Sequence, residues 1–274
     1  MLSYQHAYHA GNAADVHKHL ALVMLLGRLR QKEKPFCVID THAGRGIYDL
    51  ASPQAQKTRE ADSGVLCLSD TDAAPEPVRD YLALVAACNR DGQRRFYPGS
   101  AAIAQAMLRA DDRAILLELH PQESAALKRN VASDPRISVH ARDCYEGLPA
   151  LLPPVIRRGL VLIDPSYEDK NEYEDIVGLL GRALDRWATG IYVLWYPLLP
   201  EARDRVLRRR LERLALPRTL ISEYRFSVSA TGLQGSGLVV VNAPWQFDAE
   251  LAAAMQFVVD DGAPAGSRTY DQVV

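Results

Sequence analysis

Apolar positions along the chain form short continuous runs, and most of these runs are separated by stretches with helical spacing. Seven runs are typical of buried strands: Phe36–Ile39, Ala114–Leu119, Ile137–Ala141, Leu160–Ile163, Gly190–Tyr196, Thr219–Phe226 and Gly237–Val241. A first helix is predicted over Ala13–Arg30, after the helix breaker Gly11-Asn12. Strands that alternate with helices predict an α/β fold with a mostly parallel seven-stranded sheet covered on both faces.

Two parts of the chain depart from this alternation. The last two runs are joined by a short Gly/Ser/Thr-rich loop over Ser227–Ser236, which predicts an antiparallel hairpin. Residues 50–95 are polar and proline-rich around two predicted helices, Ser63–Leu68 and Val78–Asn89. We therefore expect one α/β domain formed by residues 1–49 and 96–274, with a small inserted helical subdomain at 50–95.

Composition restricts the class of protein more than it identifies it. The 274 residues are 48% hydrophobic, with 32 Lys+Arg against 34 Asp+Glu, so any contact with nucleic acid must use local patches. No Cys-x-x-Cys pair occurs among the four cysteines, which argues against a zinc ribbon or a disulfide framework. Without a signal peptide or a membrane-spanning apolar stretch, we expect a cytoplasmic monomer with no membrane contact.

The tetrapeptide Asp164-Pro165-Ser166-Tyr167 follows a buried-strand pattern directly. It puts a carboxylate, a carbonyl and an aromatic ring at the end of a strand, where open α/β sheets bind ligands. These groups suit the exocyclic amine of a nucleobase, because both oxygens accept hydrogen bonds and the ring can stack. Taken alone, the tetrapeptide is more often a strand followed by a simple proline turn.

Other acidic residues end neighbouring strands. Asp40 precedes a turn containing Gly44 and Gly46, which suits close approach of a ligand but lacks the full G-x-G-x-x-G of dinucleotide sites. Glu118 ends the next strand and is placed to accept hydrogen bonds from ribose hydroxyls. Asp143 ends the third strand, where it could instead be a helix N-cap. Acids at successive strand ends predict a ligand crevice.

At this point the chain resembles a known family over essentially its whole length. The matching segments are Met1-Leu2-Ser3-Tyr4, His9-Ala10-Gly11-Asn12 with Asp15 and Lys18-His19, Asp40-Thr41-His42-Ala43-Gly44, Tyr97-Pro98-Gly99-Ser100, Glu118-Leu119-His120-Pro121, Arg157-Arg158-Gly159 and Leu194-Trp195-Tyr196-Pro197. They are similar to those of the bacterial 23S ribosomal RNA adenine-N6 methyltransferases of the large-subunit methyltransferase J family. The resemblance implies a Rossmann-like fold, S-adenosylmethionine as methyl donor without a metal, and 23S rRNA as partner, with adenine 2030 as target.

The same resemblance implies roles for particular residues. Glu118 would hold the cofactor ribose, and Asp143 with the backbone N–H of Cys144 would hold its adenine. Residues implied at the methionine end are His19, His42 and Ser100. Asp164 would be catalytic, accepting from the target N6 beside the cofactor, while Tyr167 stacks on the base and Tyr4 and Lys18 contact the RNA rather than serve folding. The family's turn usually reads Asp-Pro-Pro-Tyr, so Ser166 is a departure that loosens the turn.

Three other functions stay open at this point. A metal-dependent hydrolase could use the N-terminal cluster His6, His9, Asp15, His17 and His19, although zinc sites favour tighter spacing. A non-catalytic RNA-binding protein could use the arginines between Arg203 and Arg213, which more often mark a solvated helix face. A DNA adenine methyltransferase would carry the same catalytic turn.

Overall fold

The computed structural model describes residues 5–69, 72–90, 92–131, 133–169, 171–226, 231–262 and 267–273. Its strands are β1 Cys37–Asp40, β2 Ile47–Asp49, β3 Phe96–Pro98, β4 Arg113–Leu117, β5 Ile137–His140, β6 Gly159–Ile163, β7 Ile191–Leu198, β8 Thr219–Arg225, β9 Gly235–Val241 and β10 Arg268–Val273. Its helices are α1 Ala13–Arg30, α2 Pro53–Thr58, α3 Glu76–Ala87, α4 Ser100–Met107, α5 Pro121–Asn130, α6 Cys144–Leu151, α7 Glu172–Arg186, α8 Asp204–Glu212 and α9 Phe247–Asp261. Short 3₁₀ turns cover His6–Tyr8 and Glu60–Ser63.

The main sheet has the order β10-β8-β9-β7-β6-β1-β4-β5. Strands β5, β4, β1, β6 and β7 are mutually parallel, and β9 runs antiparallel to both β7 and β8. This confirms the Rossmann-like α/β fold with a mostly parallel sheet and an antiparallel hairpin near its end. Of the predicted hairpin loop, residues 227–230 lie outside the described residues.

The predicted strand count was one too low. The eighth strand, β10, pairs antiparallel with β8 at the edge of the sheet. An edge strand can keep polar side chains in solvent, so the sequence Arg-Thr-Tyr-Asp-Gln-Val carries no buried-strand pattern. The small sheet of β2 and β3 was missed as well, because each of its strands has only three residues.

Alternate residues of the parallel strands supply two separate cores. In β6, Leu160 and Leu162 join the core that contains α1, whereas Val161 and Ile163 join the core on the opposite face, which contains α7. Strand β6 is buried along its whole length. Such a strand reads as one continuous apolar run, and the polar residue that ends it marks the edge of the sheet.

Helix α1 is buried on nearly all sides. Asn12 caps it by accepting from the backbone N–H of Asp15, and its side chains pack against β9, α3, α4 and α9. Its amino end therefore lies inside the molecule, close to the carboxyl ends of the parallel strands. No helix in the described ranges is long and apolar enough to cross a membrane.

The predicted helix at Ser63–Leu68 was wrong. After the 3₁₀ turn the chain passes closely over the amino end of α1, and the Val65 N–H donates to the Gly11 carbonyl at 2.8 Å. A Cβ on Gly64 would lie 2.1 Å from that carbonyl oxygen, so this tight crossing replaces a helical path. The other predicted helix is α3. The division into a domain and a subdomain at 50–95 stays a prediction.

Candidate functional site

A cavity of about 540 Å³ opens at the carboxyl ends of the parallel strands and is closed on one side by the amino end of α1. The predicted site residues in its wall are Lys18, His19, His42, Ser100, Glu118, Asp143, Cys144, Asp164 and Tyr167. The structure thus brings together residues that are up to 149 positions apart in sequence (167 − 18). Tyr4 lies outside the described residues. The individual roles assigned to these residues stay predictions.

Glu118 is fixed at the tip of β4 by the glycine turn. Its Oε2 accepts from the Gly44 N–H at 2.8 Å, and its Oε1 accepts from the His120 N–H at 2.7 Å. Gly44 has a φ of +57°, and a Cβ there would lie 2.1 Å from the Tyr48 hydroxyl, so a larger residue would strain the backbone and force the Tyr48 side chain to move. Burial raises the pKa of Glu118, while the two amides oppose that shift. The result is an oriented carboxylate at the cavity wall.

Asp40, at the end of β1, is nearly inaccessible to solvent. Its Oδ1 accepts from the backbone N–H of His42 at 3.1 Å, which fixes the start of the glycine turn. Burial raises the pKa of Asp40 to about 7. Asp40 therefore shapes the turn with a carboxyl group that is protonated in a substantial fraction of molecules near neutral pH.

Asp143 is the N-cap of α6, as the alternative interpretation from sequence expected. One carboxylate oxygen accepts from the Tyr145 N–H at 2.6 Å. Cys144 is the first residue of the helix, and its N–H has no acceptor within the helix. The N-cap geometry leaves a second carboxylate oxygen and this N–H for a ligand, a pairing that suits an adenine edge.

Two buried histidines in the cavity wall, His19 and His42, are neutral. His19 hydrogen-bonds to the Tyr97 hydroxyl at 2.6 Å, and His42 to the Thr41 hydroxyl at 2.8 Å. Burial lowers the pKa of His19 to about 3 and that of His42 to about 4, so neither ring is charged at neutral pH. Ser100 begins α4 beside them.

Asp164, at the tip of β6, forms an ion pair that sequence reasoning missed. The Lys18 ammonium lies 2.5 Å from Asp164 Oδ2 and 3.0 Å from Asp15 Oδ1. Burial disfavours the charge on Lys18, but the two carboxylates outweigh it and raise its pKa above the ordinary value. The i,i+3 spacing of Asp15 and Lys18 on one helix could have predicted their ion pair. No sequence pattern indicated that Asp164, 146 residues later, would join them.

Asp15 also binds the Lys18 ammonium and is itself fixed by two further hydrogen bonds. It is 1% exposed and accepts from the Gly11 N–H at 2.9 Å and from His6 at 2.8 Å. Although burial favours its neutral form, His6 and Lys18 lower the pKa of Asp15 well below its usual range. The charge of Lys18 is thus balanced by two carboxylates.

The turn formed by residues 164–167 is strained at Tyr167. This residue has a φ of +55°, which is rare for a bulky side chain and is typically found at functional sites. Its hydroxyl donates to the Trp195 carbonyl at 2.7 Å, and its ring lies 4.5 Å from that of Tyr173. Tyr167 is 8% exposed, so the surrounding aromatic side chains, rather than solvent, fix its orientation.

The histidines considered as metal ligands contact separate partners. His6 binds Asp15, His9 binds Glu60 and His17 lies between Ser222 and Ser236. No group of three or more His, Cys, Asp or Glu side chains suited to a metal ion occurs in the part of the chain that is described.

Comparison with known proteins adds sequence and structural relatives. The family model described as "Ribosomal RNA large subunit methyltransferase D, RlmJ" matches residues 33–274. The chain is 38% identical to "Ribosomal RNA large subunit methyltransferase J" of Escherichia coli, over 97% of this chain and 96% of the relative. It is 37% identical to the protein of the same name from Haemophilus influenzae, over 98% and 97%. A crystal structure of a Legionella pneumophila protein superimposes with a TM-score of 0.90 at 33% identity, covering 97% of this chain and 98% of that one.

Proposed function

Because the chain belongs to the ribosomal RNA large subunit methyltransferase D (RlmJ) family, we propose that it methylates the exocyclic N6 of one adenine of 23S rRNA, at position 2030. S-adenosylmethionine is the proposed methyl donor. The observation that carries the proposal is the position of Asp164: its carboxylate follows β6 in the same cavity as Glu118 and Asp143, which follow β4 and β5 of the same sheet.

The residues around the glycine turn suit the adenosine part of the donor. The carboxylate of Glu118, held by two amides, can accept from two ribose hydroxyls. Asp143 and the N–H of Cys144 can pair with the amine and a ring nitrogen of its adenine. His19, His42 and Ser100 would line the methionine end. When bound, S-adenosylmethionine supplies an electrophilic methyl group.

On the other side of the cavity, Asp164 orients the target amine. Its Oδ2 is bound to Lys18, which leaves Oδ1 and the Pro165 carbonyl to accept from the two N–H groups of N6. Hydrogen bonds aimed at these N–H groups strengthen as N6 gains positive charge, so they favour the attacking form of a weakly nucleophilic amine. After the methyl group has moved to N6, the surplus proton leaves to Asp164 or to water.

The base must leave its stack to reach the cavity. Tyr167 is the proposed stacking partner, and its fixed orientation supports a rigid platform. Tyr4 and Lys18 are proposed to meet the RNA, with Lys18 also balancing the charge of Asp164.

The test is methyl transfer in vitro from labelled S-adenosylmethionine to transcribed 23S rRNA, followed by nucleoside analysis and mapping. We expect one N6-methyladenosine per molecule, lost when adenine 2030 is replaced by guanine in the transcript. A DNA strand of the same sequence should be a poor substrate. Transfer to DNA in preference to RNA would support the DNA methyltransferase, and RNA binding without any transfer would support the non-catalytic protein.

A further inference from the structure

A second cleft, of about 480 Å³, lies at the same end of the strands as the cavity, where β8 ends and β10 begins. We call it the arginine cleft and define it by Arg205, Arg208, Arg225, Arg268, Glu223 and Tyr270. It collects side chains from α8, β8 and β10, including two of the arginines in the run after Arg203. The proposed reaction uses none of these residues.

The sheet register places this cleft beside the proposed catalytic cavity. Leu198 pairs with Gly235, Gly235 pairs with Arg225, and Arg225 pairs with Arg268, so the four residues form one row across the sheet. Pro197 and Leu199, which flank Leu198, line the cavity. Three strand spacings of ~4.8 Å put Arg268 roughly 14 Å from this wall of the cavity.

A buried carboxylate organises two of the arginines. Glu223 is 4% exposed and accepts from the Tyr196 hydroxyl at 3.0 Å, from Arg208, and from Arg225 at 3.3 Å. Its single charge is therefore shared between two guanidinium groups. The Nε of Arg208 is buried and has no acceptor among the residues described.

The other two arginines add uncompensated charge. Arg205 and Arg268 are exposed and form no ion pair within the described ranges. Asp204 at the start of α8 also lines the cleft. Four arginines against Glu223 and Asp204 leave a formal charge of +2 (4 − 2), in a chain whose net charge is −2. Arg225 and Arg268 stand directly opposite each other in the ladder, an arrangement of like charges that destabilises a sheet unless an anion lies between them.

We propose that the arginine cleft binds the phosphate backbone of the rRNA next to the target adenine. This inference rests on the proposed function and names the surface that receives the substrate strand. Guanidinium groups bind phosphate oxygens in bidentate geometry, and phosphate contacts position nucleic acid without reading its sequence. Tyr270, 53% exposed beside the arginines, offers a ring to a neighbouring base or ribose.

The experiment compares two double variants that remove the same charge. The cleft variant is Arg205→Gln/Arg268→Gln. The control variant is Arg113→Gln/Arg129→Gln, which changes exposed arginines at the start of β4 and the end of α5, at the opposite end of the strands. Affinity for a 23S rRNA fragment is measured by fluorescence anisotropy over a salt series. Single-turnover transfer at saturating RNA and calorimetric binding of S-adenosylmethionine are measured beside it.

We expect the cleft variant to bind the fragment roughly 5- to 50-fold more weakly at low salt, with the slope of log affinity against log salt reduced by about 1 to 2. Transfer at saturating RNA and affinity for S-adenosylmethionine should stay within about twofold of wild type. The control variant should match wild type in affinity and slope. Equal affinity and slope for the cleft variant would overturn the inference, as would an equal loss in both variants. A wild type without transfer activity would instead contradict the proposed function.

Discussion

The two halves of the cavity hold their polar groups in opposite ways. On the half that we propose to bind the cofactor (the cofactor half), around Glu118 and Asp143, carboxylates are fixed by backbone N–H groups, and His42 is neutral. On the half that we propose to receive the target base (the base half), around Asp164, charges compensate one another through Lys18 and Asp15. Backbone donors keep their positions when a side chain changes, whereas an ion-pair network fails when one member is removed. The base half should therefore be the more sensitive to substitution.

The largest effect is expected for Asp164→Asn. The amide keeps the shape but replaces one acceptor with a donor, so N6 loses the hydrogen bond that strengthens in the transition state. Single-turnover transfer should fall by roughly 10²- to 10³-fold, as when an enzyme loses one such stabilising contact. Affinity for S-adenosylmethionine, measured by calorimetry, should change by less than about tenfold. A near-normal rate would mean that another group accepts from N6.

Lys18→Met tests the network itself. It leaves Asp15 and Asp164 without their shared cation, and the loss of one partner from a buried ion pair costs about 3–5 kcal/mol. Urea unfolding should show this loss, with Lys18→Arg as the variant that keeps the charge. From sequence alone Lys18 was expected to contact the RNA and to have little effect on stability. Because Lys18 is only 4% exposed, we now expect its replacement to lower both RNA methylation and stability. An unfolding free energy within ~1 kcal/mol of wild type would restore the earlier expectation.

Glu118→Gln examines the cofactor half. The glutamine amide has one acceptor oxygen, so either the Gly44 or the His120 N–H loses its partner, and one ribose hydroxyl loses its acceptor. We expect S-adenosylmethionine to bind more weakly by roughly 1–3 kcal/mol, with little change in the transfer rate once the site is saturated. A reduced saturated rate with normal binding would assign Glu118 to the base half.

The smallest effect is expected for Ser166→Pro, which restores the family's usual turn. Proline restricts Pro165 to an extended backbone and reduces the freedom of the unfolded chain, a gain of roughly 0.4–1 kcal/mol at a compatible site. Transfer should be kept or raised. A drop of more than about tenfold would mean that the hydroxyl or the N–H of Ser166 serves the site.

Local pattern made the positions of the site predictable. Strand β6 is apolar at every position because both of its faces are buried, so the polar residue that follows it had to lie at the edge of the sheet. Glu118 was placed in the same way after β4, whereas Asp143 follows β5, a strand that is only partly buried. Contacts between distant segments left no such signal, and the pairing of Lys18 with Asp164 and the crossing of Gly64 over Gly11 appear only in the folded chain.

Helix α1 is buried in part by segments of the chain that are synthesised much later. Fifteen of its eighteen residues are buried, yet the partners of His17 are Ser222 and Ser236, which are synthesised 205 and 219 residues later. The helix that carries Lys18 therefore leaves the ribosome well before these partners and waits with an apolar surface exposed until they have followed. Such a wait makes a nascent chain prone to aggregation and dependent on chaperones. The segment that supplies Lys18 to the ion pair with Asp164 is thus exposed to this risk during the protein's own synthesis.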